Sequence, residues 1–317
     1  MIPAMSPGEI TPDSRTAADS HGPCTESVAQ QGTLRPPVGR LLLRAAGFSA
    51  FLFAGWMLLA GWFHPSLASL QGPQASPALL LSYYVCLDGF ALALSALFLR
   101  AADGRSFRAL GLWFFPRWWL PAAAGVAAGA LPIALVALVA AEWNGSGFIA
   151  PASADRNLPS LLAFFLLAAA FEELMFRGYA WQSLSDALGP LSASLVSSLL
   201  FGLAHANNPQ AGLLSLGNTV LAGALMCAAR WRSRALWMPL GLHFAWNVFL
   251  GPVFGYPVSG LPLSGGAALV SGKAPEWVTG GGYGLEASAV LTVVAAGAIL
   301  LVTRCPLKWL SPFGVQE

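Results

Sequence analysis

Residues 171–178 read Phe171-Glu172-Glu173-Leu174-Met175-Phe176-Arg177-Gly178, and the run 158–170 before them carries no charged residue. An ionisable side chain at membrane depth costs at least about 2.5 kcal/mol, so it normally indicates a function or a specific partner. Glu173 and Arg177 stand four residues apart with the acid first, which favours an ion pair along one helix face. Glu172 lies about 100° round the helix and points elsewhere. The spacing therefore predicts that Glu173 is structural and that Glu172 is available for chemistry.

A simpler interpretation is that both glutamates only mark where a helix leaves the membrane. The composition supports the membrane part of this interpretation, because the 317-residue chain is 56% hydrophobic and only 9% charged. Soluble domains carry about 25% charged residues. The apolar runs near 20 residues predict an all-α, polytopic membrane protein. The net charge of +2 gives no indication of a nucleic-acid partner, and the four cysteines show no paired spacing for a disulfide framework or a zinc finger.

The apolar runs divide the chain into eight predicted transmembrane segments, at about 41–63, 78–99, 118–141, 158–176, 191–205, 211–229, 235–254 and 287–303. The fifth is the shortest. Residues 1–37 are rich in Ser, Thr, Pro, Gly and Gln and are predicted to form a disordered tail, without the apolar core of a signal peptide. The membrane domain is predicted at 38–310, its core at about 158–250, and a short tail at 311–317.

The basic residues predict the orientation. If eight helices alternate, one side receives Arg35, Arg40, Arg44, Arg100, Arg105, Arg108, Arg117, Arg177, Arg230, Arg232, Arg234, Arg304 and Lys308. The other side receives only Arg156 and Lys273. By the positive-inside rule, both termini are predicted to be cytoplasmic, in a cell (inner) membrane protein. The outer connection, 255–286, is long and rich in Gly, Pro and Ser, as a flexible loop or a lid would be. The inner segment 106–116 mixes arginine with aromatics and is predicted to lie in the headgroups.

Polar side chains on two later segments offer chemistry that complements Glu172. His205 ends the fifth segment, and His243 and Asn247 stand four apart in the seventh, on one helix face. A carboxylate and an imidazole can activate water as a general base. A second imidazole and an amide can stabilise an oxyanion. Alternatively, Glu172, His205 and His243 could hold zinc or another divalent metal ion with an open position for water, although the H-E-x-x-H pattern is absent. Three further polar residues are predicted to make only helix–helix hydrogen bonds: Asp88, Asn218 and Cys227.

The ordered motifs Glu172-Glu173-x-x-x-Arg177, Phe201-x-x-x-His205 and His243-x-x-x-Asn247 resemble the CAAX prenyl protease and bacteriocin-processing family of intramembrane endopeptidases, of the type II CAAX prenyl endopeptidase kind. The resemblance covers about 158–250, and 106–112 is similar to the family's inner-loop segment. It implies that Glu172 activates water with help from His205, that His243 and Asn247 serve the oxyanion, and that Glu173 and Arg177 support the site. The family is often labelled metalloprotease, yet its site also admits a metal-free glutamate mechanism.

The sequence thus predicts a polar cavity between the fourth, fifth and seventh segments, in which a peptide bond of a membrane-associated protein or peptide is hydrolysed. Prenylated CAAX substrates are the eukaryotic precedent and are not assumed. A non-catalytic scaffold, such as a bacteriocin self-immunity protein, is one alternative. An ion or solute transporter is a weaker one, since no inverted repeat or pair of broken helices is evident.

The predicted helix ends place Glu172 and His205 at different depths in the membrane. At about 1.5 Å per residue, Glu172 falls nearer the cytoplasmic side and His205 nearer the outside. If they are to meet, either the fourth helix runs on toward Leu188, with Gly189-Pro190 as the turn, or the fifth begins below the membrane surface.

Overall fold

The computed structural model describes residues 36–67, 77–144, 158–262 and 274–305, which belong to one compact unit of the chain. These residues form α1 Val38–Leu67, α2 Pro77–Ala101, α3 Trp119–Asn144, α4 Leu158–Arg177, α5 Tyr179–Leu188, α6 Pro190–Ala204, α7 Leu213–Ser233, α8 Trp237–Val248, α9 Glu276–Thr279 and α10 Ala289–Arg304. The all-α prediction is confirmed for this part of the chain. The predicted tails at 1–37 and 311–317 lie outside the described residues, except for Pro36 and Pro37.

Each of the eight predicted segments contains a helix, but the helices differ in length. Five stretches are long and apolar enough to cross a membrane: Val38–Phe63, Pro77–Ala101, Trp119–Asn144, Leu158–Leu188 and Leu213–Ser233. Helices α6 and α10 are apolar but have only 15 and 16 residues. Helix α8 has 12 residues and continues into a π-helical turn, Phe249–Val253. A straight span needs about 20 residues. The chain is therefore a multi-pass membrane protein, while the number of eight spans stays a prediction.

Helix α4 lies between two hydrophobic clusters. One cluster packs α3, α7, α8 and α10 together, and α4 contributes Phe165 to it. The other packs α1, α2 and α5, and α4 contributes Phe171 and Leu174 to it. Because these contributions flank Glu172 and Glu173 in sequence, both carboxylates lie where the two clusters meet.

Helices α3 and α8 pack backbone against backbone. A Cβ atom on Gly125 would lie 2.0 Å from the Met238 carbonyl oxygen, and one on Gly129 would lie 2.1 Å from that of Leu242. Small residues allow such close approach between membrane helices, where dispersion contacts replace the hydrophobic driving force. Since Leu242 precedes His243, this packing fixes the part of α8 that carries the histidine.

The inner segment packs against the start of α8. Its 3₁₀ turn, Phe107–Leu110, buries Leu110, and the Gly111 carbonyl accepts a hydrogen bond from the Leu236 amide at 3.0 Å. The Trp237 indole donates to the Trp113 carbonyl at 3.1 Å. The segment is thus anchored to the protein, in addition to any contact with headgroups.

Two arginines used to predict the orientation are buried in the fold. Arg177 is 0% exposed and Arg230 is 5% exposed, so neither acts as a free charge at a membrane surface. Other arginines tie helix ends together, because Arg44 pairs with Asp103 and Arg105 pairs with Asp186, each at 2.6 Å. These pairs bring the start of α1, the end of α2 and α5 to one side, as the charge pattern predicts. Which side is cytoplasmic stays a prediction.

The described parts of the outer connection, 255–262 and 274–288, pack onto the helices. Five of their large side chains are buried: Tyr256, Val258, Val278, Tyr283 and Leu285. The described parts of the predicted flexible loop or lid therefore form a cap that packs on the helices. Residues 263–273 lie outside the described part of the chain.

Candidate active site

Helices α4 and α5 meet in a bend at Gly178. A Cβ atom there would lie 2.2 Å from the Leu174 carbonyl oxygen in the last turn of α4, so a larger residue could not adopt this bend without moving that turn. The fourth helix therefore does continue to Leu188, as one of the two predicted arrangements required, but in two pieces. Gly189, with φ 83°, and Pro190 form the turn into α6. Helices α5 and α6 pack together, and the residue after α6, His205, comes to lie beside Glu172.

Glu172 lies between two imidazoles. Its Oε2 atom is 3.7 Å from Nε2 of His243 and 4.0 Å from Nε2 of His205, and the side chain is 30% exposed. These distances are too long for direct hydrogen bonds, and Oε2 has no hydrogen-bond partner among the described residues. Polar groups at such separations are commonly bridged by a water molecule. The arrangement therefore offers a position for a water between one carboxylate and two ring nitrogens.

The hydrogen bonds on the far side of each ring fix which nitrogen faces Glu172. Nδ1 of His205 lies 2.8 Å from the Phe201 carbonyl oxygen, which can only accept, so Nδ1 carries a proton. Nδ1 of His243 lies 2.9 Å from Oε1 of Glu173 and donates to that carboxylate. In the neutral form of each ring, Nε2 then faces the cavity as a proton acceptor.

Glu173 connects α4 to two other side chains. Its Oε1 accepts from Arg177 at 3.2 Å, so the ion pair predicted from the four-residue spacing is present, and it also accepts from His243. Arg177 donates to the Gly223 carbonyl of α7 at 3.1 Å, and its guanidinium lies 4.4 Å from the centre of the Phe201 ring. The sequence reasoning missed the contact between Glu173 and His243, because nothing in the helical spacing relates residues on different helices.

Asn247 lies one turn after His243 on the same face of α8, as predicted, and is 8% exposed. It lines the same cavities as the two histidines. Within the described part of the chain, no hydrogen bond engages its carboxamide. Its amide group is therefore free to donate to a ligand in the cavity.

The main cavity has a volume of about 230 Å³ and is lined by Glu172, His205, His243 and Asn247 on α4, α8 and the end of α6. These are the three predicted segments. Helices α1 and α2 add apolar walls, and the outer connection also contributes, which the sequence did not predict: Trp56, Tyr84, Leu87, Val258, Ser259 and Leu261. A second, more apolar cavity of about 460 Å³ adjoins it, between α1, α5 and α6. The polar centre thus stands at the end of a larger apolar space.

Of the three polar residues predicted to be structural, two make helix–helix contacts. The Asn218 oxygen of α7 accepts a hydrogen bond from the Thr292 hydroxyl of α10 at 2.7 Å, and Cys227 of α7 lies 3.9 Å from the Ser198 hydroxyl of α6. For Asp88 the prediction is wrong, because both carboxylate oxygens are buried without a hydrogen-bond partner in the described residues. No sequence signal separated Asp88 from the other two.

The side chains give no support to the metal-bound alternative. Among the residues that the structure describes, no group of three or more His, Cys, Asp or Glu side chains could hold a metal ion. Ligands of a tetrahedral zinc ion lie about 2.0–2.2 Å from the metal, which brings them closer together than Glu172 and His205 at 4.0 Å. The difference is a few tenths of an ångström, so these side chains as they lie form no metal site, and a chelator test decides between the two mechanisms.

Comparisons with known proteins agree with the motifs. Residues 154–249 match the family model of type II CAAX prenyl endopeptidase Rce1-like proteins, and this match confirms the family resemblance. The chain is 34% identical over 121 residues to an Escherichia coli protein described as "Uncharacterized 24.3 kDa protein". That alignment covers 34% of this chain and 51% of the relative, so the chain spans about half the length of the curated protein it matches. No solved structure matches the chain.

Proposed function

We propose that the protein is an intramembrane endopeptidase that hydrolyses a peptide bond of a membrane-associated protein or peptide, using a water molecule activated by Glu172. The observation that carries this proposal is the convergence of one carboxylate oxygen and two imidazole Nε2 atoms within 4.0 Å. The match of 154–249 to the Rce1-like endopeptidases supports the reaction class.

In the first step, the water oxygen attacks the carbonyl carbon of the substrate and loses one proton. Glu172 is the general base, and His205 shares the proton because its Nε2 faces the same position while Nδ1 is committed to the Phe201 carbonyl. When the carbon–nitrogen bond breaks, the same proton passes to the leaving amine. Positioned proton transfer of this kind contributes about 10²- to 10⁴-fold to a rate.

The tetrahedral intermediate carries a negative oxygen that needs donors. Asn247 donates from its free amide, and His243 donates from Nε2 when its ring is doubly protonated. Glu173 stabilises that positive ring through the hydrogen bond at Nδ1, at 2.9 Å, and Arg177 holds Glu173 in place. Glu173 and Arg177 thereby support the site without contacting the substrate.

The substrate enters from the apolar side of the site. The cavity of about 460 Å³ shares Trp56, Met175, Phe176 and Ala204 with the polar cavity. An apolar segment of a membrane peptide fits this space while its scissile bond reaches Glu172. We place the protein in the cell (inner) membrane with both termini in the cytoplasm, and the substrate end on the cytoplasmic side.

The test is cleavage of a membrane peptide by protein reconstituted in liposomes, with a metal chelator in a parallel sample. Glu172→Gln keeps the size of the side chain and removes the base, so activity should fall about 10²- to 10⁴-fold. Glu142→Gln is the matched control, since Glu142 is an exposed carboxylate at the end of α3. The chelator should leave wild-type activity unchanged.

Full activity of Glu172→Gln would refute the catalytic role and favour a scaffold or a transporter. Activity that disappears with chelator and returns with zinc would keep the enzyme but reject the metal-free mechanism. His205→Ala should reduce turnover about as much as Glu172→Gln, and Asn247→Ala should reduce turnover more than substrate binding.

A further inference from the structure

A buried carboxyl group from beyond the matched family region lies against the same site. Glu286 belongs to the 3₁₀ helix Leu285–Ala287 of the outer connection and is 9% exposed. Its Oε1 atom accepts a hydrogen bond from the Trp246 indole at 3.0 Å, and its Oε2 atom accepts one from the Ser259 amide at 2.5 Å. Neither the proposed mechanism nor any motif uses this residue.

The two donors lead to the two histidines. Trp246 is on α8, three residues after His243. The Ser259 carbonyl accepts a hydrogen bond from the Asn208 side chain at 3.1 Å, and Asn208 follows His205 by three residues. The carboxyl group of Glu286 therefore joins the helix that carries one histidine to the segment that carries the other.

The main chain of Glu286 is also anchored. Its carbonyl accepts from the Asn218 amide of α7 at 2.9 Å, and the Asn218 oxygen accepts from Thr292 of α10 at 2.7 Å. Because this end of the connection is fixed by α7 and α10, the carboxyl group is held in place and can in turn hold its two donors.

A small cavity of about 20 Å³ shows that these contacts border the site. It is lined by Glu286, Ser259, His205, His243 and Asn247, among others. The last three also line the main cavity. A cavity of this volume accommodates about one water molecule. These side chains therefore enclose a space the size of a single solvent molecule.

We propose that Glu286 is a positioning residue of the active site, which sets the separation of His205 and His243 through Ser259 and Trp246. The catalytic consequence rests on the proposed function, whereas the mechanical link does not. A displacement of about 1 Å in a reacting group can cost about 10²-fold in rate, so a link of this kind has a measurable effect.

Glu286→Gln tests the link with little change in size. Glutamine has one acceptor oxygen, and its amide group faces one of the two N–H donors, so only one of the two hydrogen bonds can persist. Glu286→Asp keeps the charge but is one methylene too short to reach both donors. Glu276→Gln is the matched control, since Glu276 is an exposed carboxylate of the same connection.

The first measurement is amide hydrogen exchange of the intact protein in detergent micelles, in peptides that cover 205–210 and 256–262. Exchange should be about tenfold faster in Glu286→Gln and Glu286→Asp than in the wild type or the control, since losing about 1.4 kcal/mol of hydrogen bonding changes a local opening equilibrium tenfold. The second is peptide cleavage, in which kcat should fall about 10- to 100-fold with KM changed by less than about threefold.

Unchanged exchange in both variants would overturn the proposal. Faster exchange with wild-type kcat would also overturn it, because the link would then not position the reacting groups. Wild-type activity in Glu286→Asp alone would assign the residue an electrostatic role and reject the positioning one. If Glu286→Gln does not fold, Asn208→Ala breaks the same path from its other end and should give the same kcat loss. A wild type that cleaves no peptide would refute the proposed function, and the exchange result would still decide the link.

Discussion

The buried ion pair of α4 gives the sharpest prediction about stability. Glu173 and Arg177 have side chains that are 2% and 0% exposed. Removing one partner of a buried ion pair costs about 3–5 kcal/mol, because the other charge loses its counter-charge in a low-dielectric interior. Without Arg177, Glu173 would keep, among the described residues, only the hydrogen bond from the His243 ring. The exposed pair of Arg105 and Asp186 has side chains that are 44% and 37% exposed, and pairs of this kind contribute about 0–1 kcal/mol. The N–O distance alone would rank the exposed pair as the stronger one, since that distance is 2.6 Å in the exposed pair and 3.2 Å in the buried pair.

We therefore expect Arg177→Met to lower the midpoint of thermal unfolding much more than Arg105→Met. At about 2 °C per kcal/mol, the lower end of the range for folded domains, the buried change corresponds to at least ~6 °C and the exposed change to at most ~2 °C. Glu173→Gln should be less severe than Arg177→Met, because the glutamine oxygen can still accept a hydrogen bond, whereas methionine offers no donor to Glu173.

The assay is thermal unfolding in one detergent, completed as a double-mutant cycle with Glu173→Gln combined with Arg177→Met. The double variant should be more stable than the sum of the two single losses predicts, with a coupling energy of about 1–3 kcal/mol. Equal midpoints for Arg177→Met and Arg105→Met, or strict additivity in the cycle, would refute the reasoning from burial.

Three further predictions concern the orientation in the membrane, the packing of α3 against α8, and the outer connection. Reporter fusions at Arg105 and Arg232 should both report the cytoplasm, and an external signal at either would refute the predicted orientation. Gly129→Ala should lower the unfolding midpoint, because the added Cβ atom would lie 2.1 Å from a carbonyl oxygen of α8; a midpoint equal to that of the wild type would mean that α3 and α8 separate without cost. Burial raises the pKa of Glu286 above its ordinary value of 4.5, while its hydrogen bonds and the nearby histidines oppose the rise. Because the pKa of Glu286 is higher in the folded than in the unfolded protein, its carboxyl group stabilises the fold below pH 4.5, and this stabilisation is lost as the pH rises through the folded pKa. Glu286→Gln should therefore make the free energy of unfolding depend less on pH in this range.

Much of the architecture follows from patterns that are local in the chain. Apolar run length places the helices, because a bilayer accepts only segments that satisfy their own backbone hydrogen bonds. The four-residue spacings of Glu173 with Arg177 and of His243 with Asn247 fix neighbours on one helix face. The Gly189-Pro190 pair marks a turn by its own backbone preferences. The family motifs name the same four cavity residues that the structure brings together.

Contacts between residues far apart in sequence could be found only from the tertiary structure. The bend at Gly178 and the short α6 bring His205 to Glu172, whereas uniform helix lengths would separate them by depth. The contact of Glu173 with His243 depends on the rotations of both α4 and α8, and the close packing of α3 against α8 fixes only the second. Glu286 gave no signal in sequence, since a single acid in a glycine-rich connection has no periodicity. Sequence patterns report the spacing along one helix, but the rotation, tilt and depth of each helix are set by packing among all of them, and that packing decides which polar groups meet.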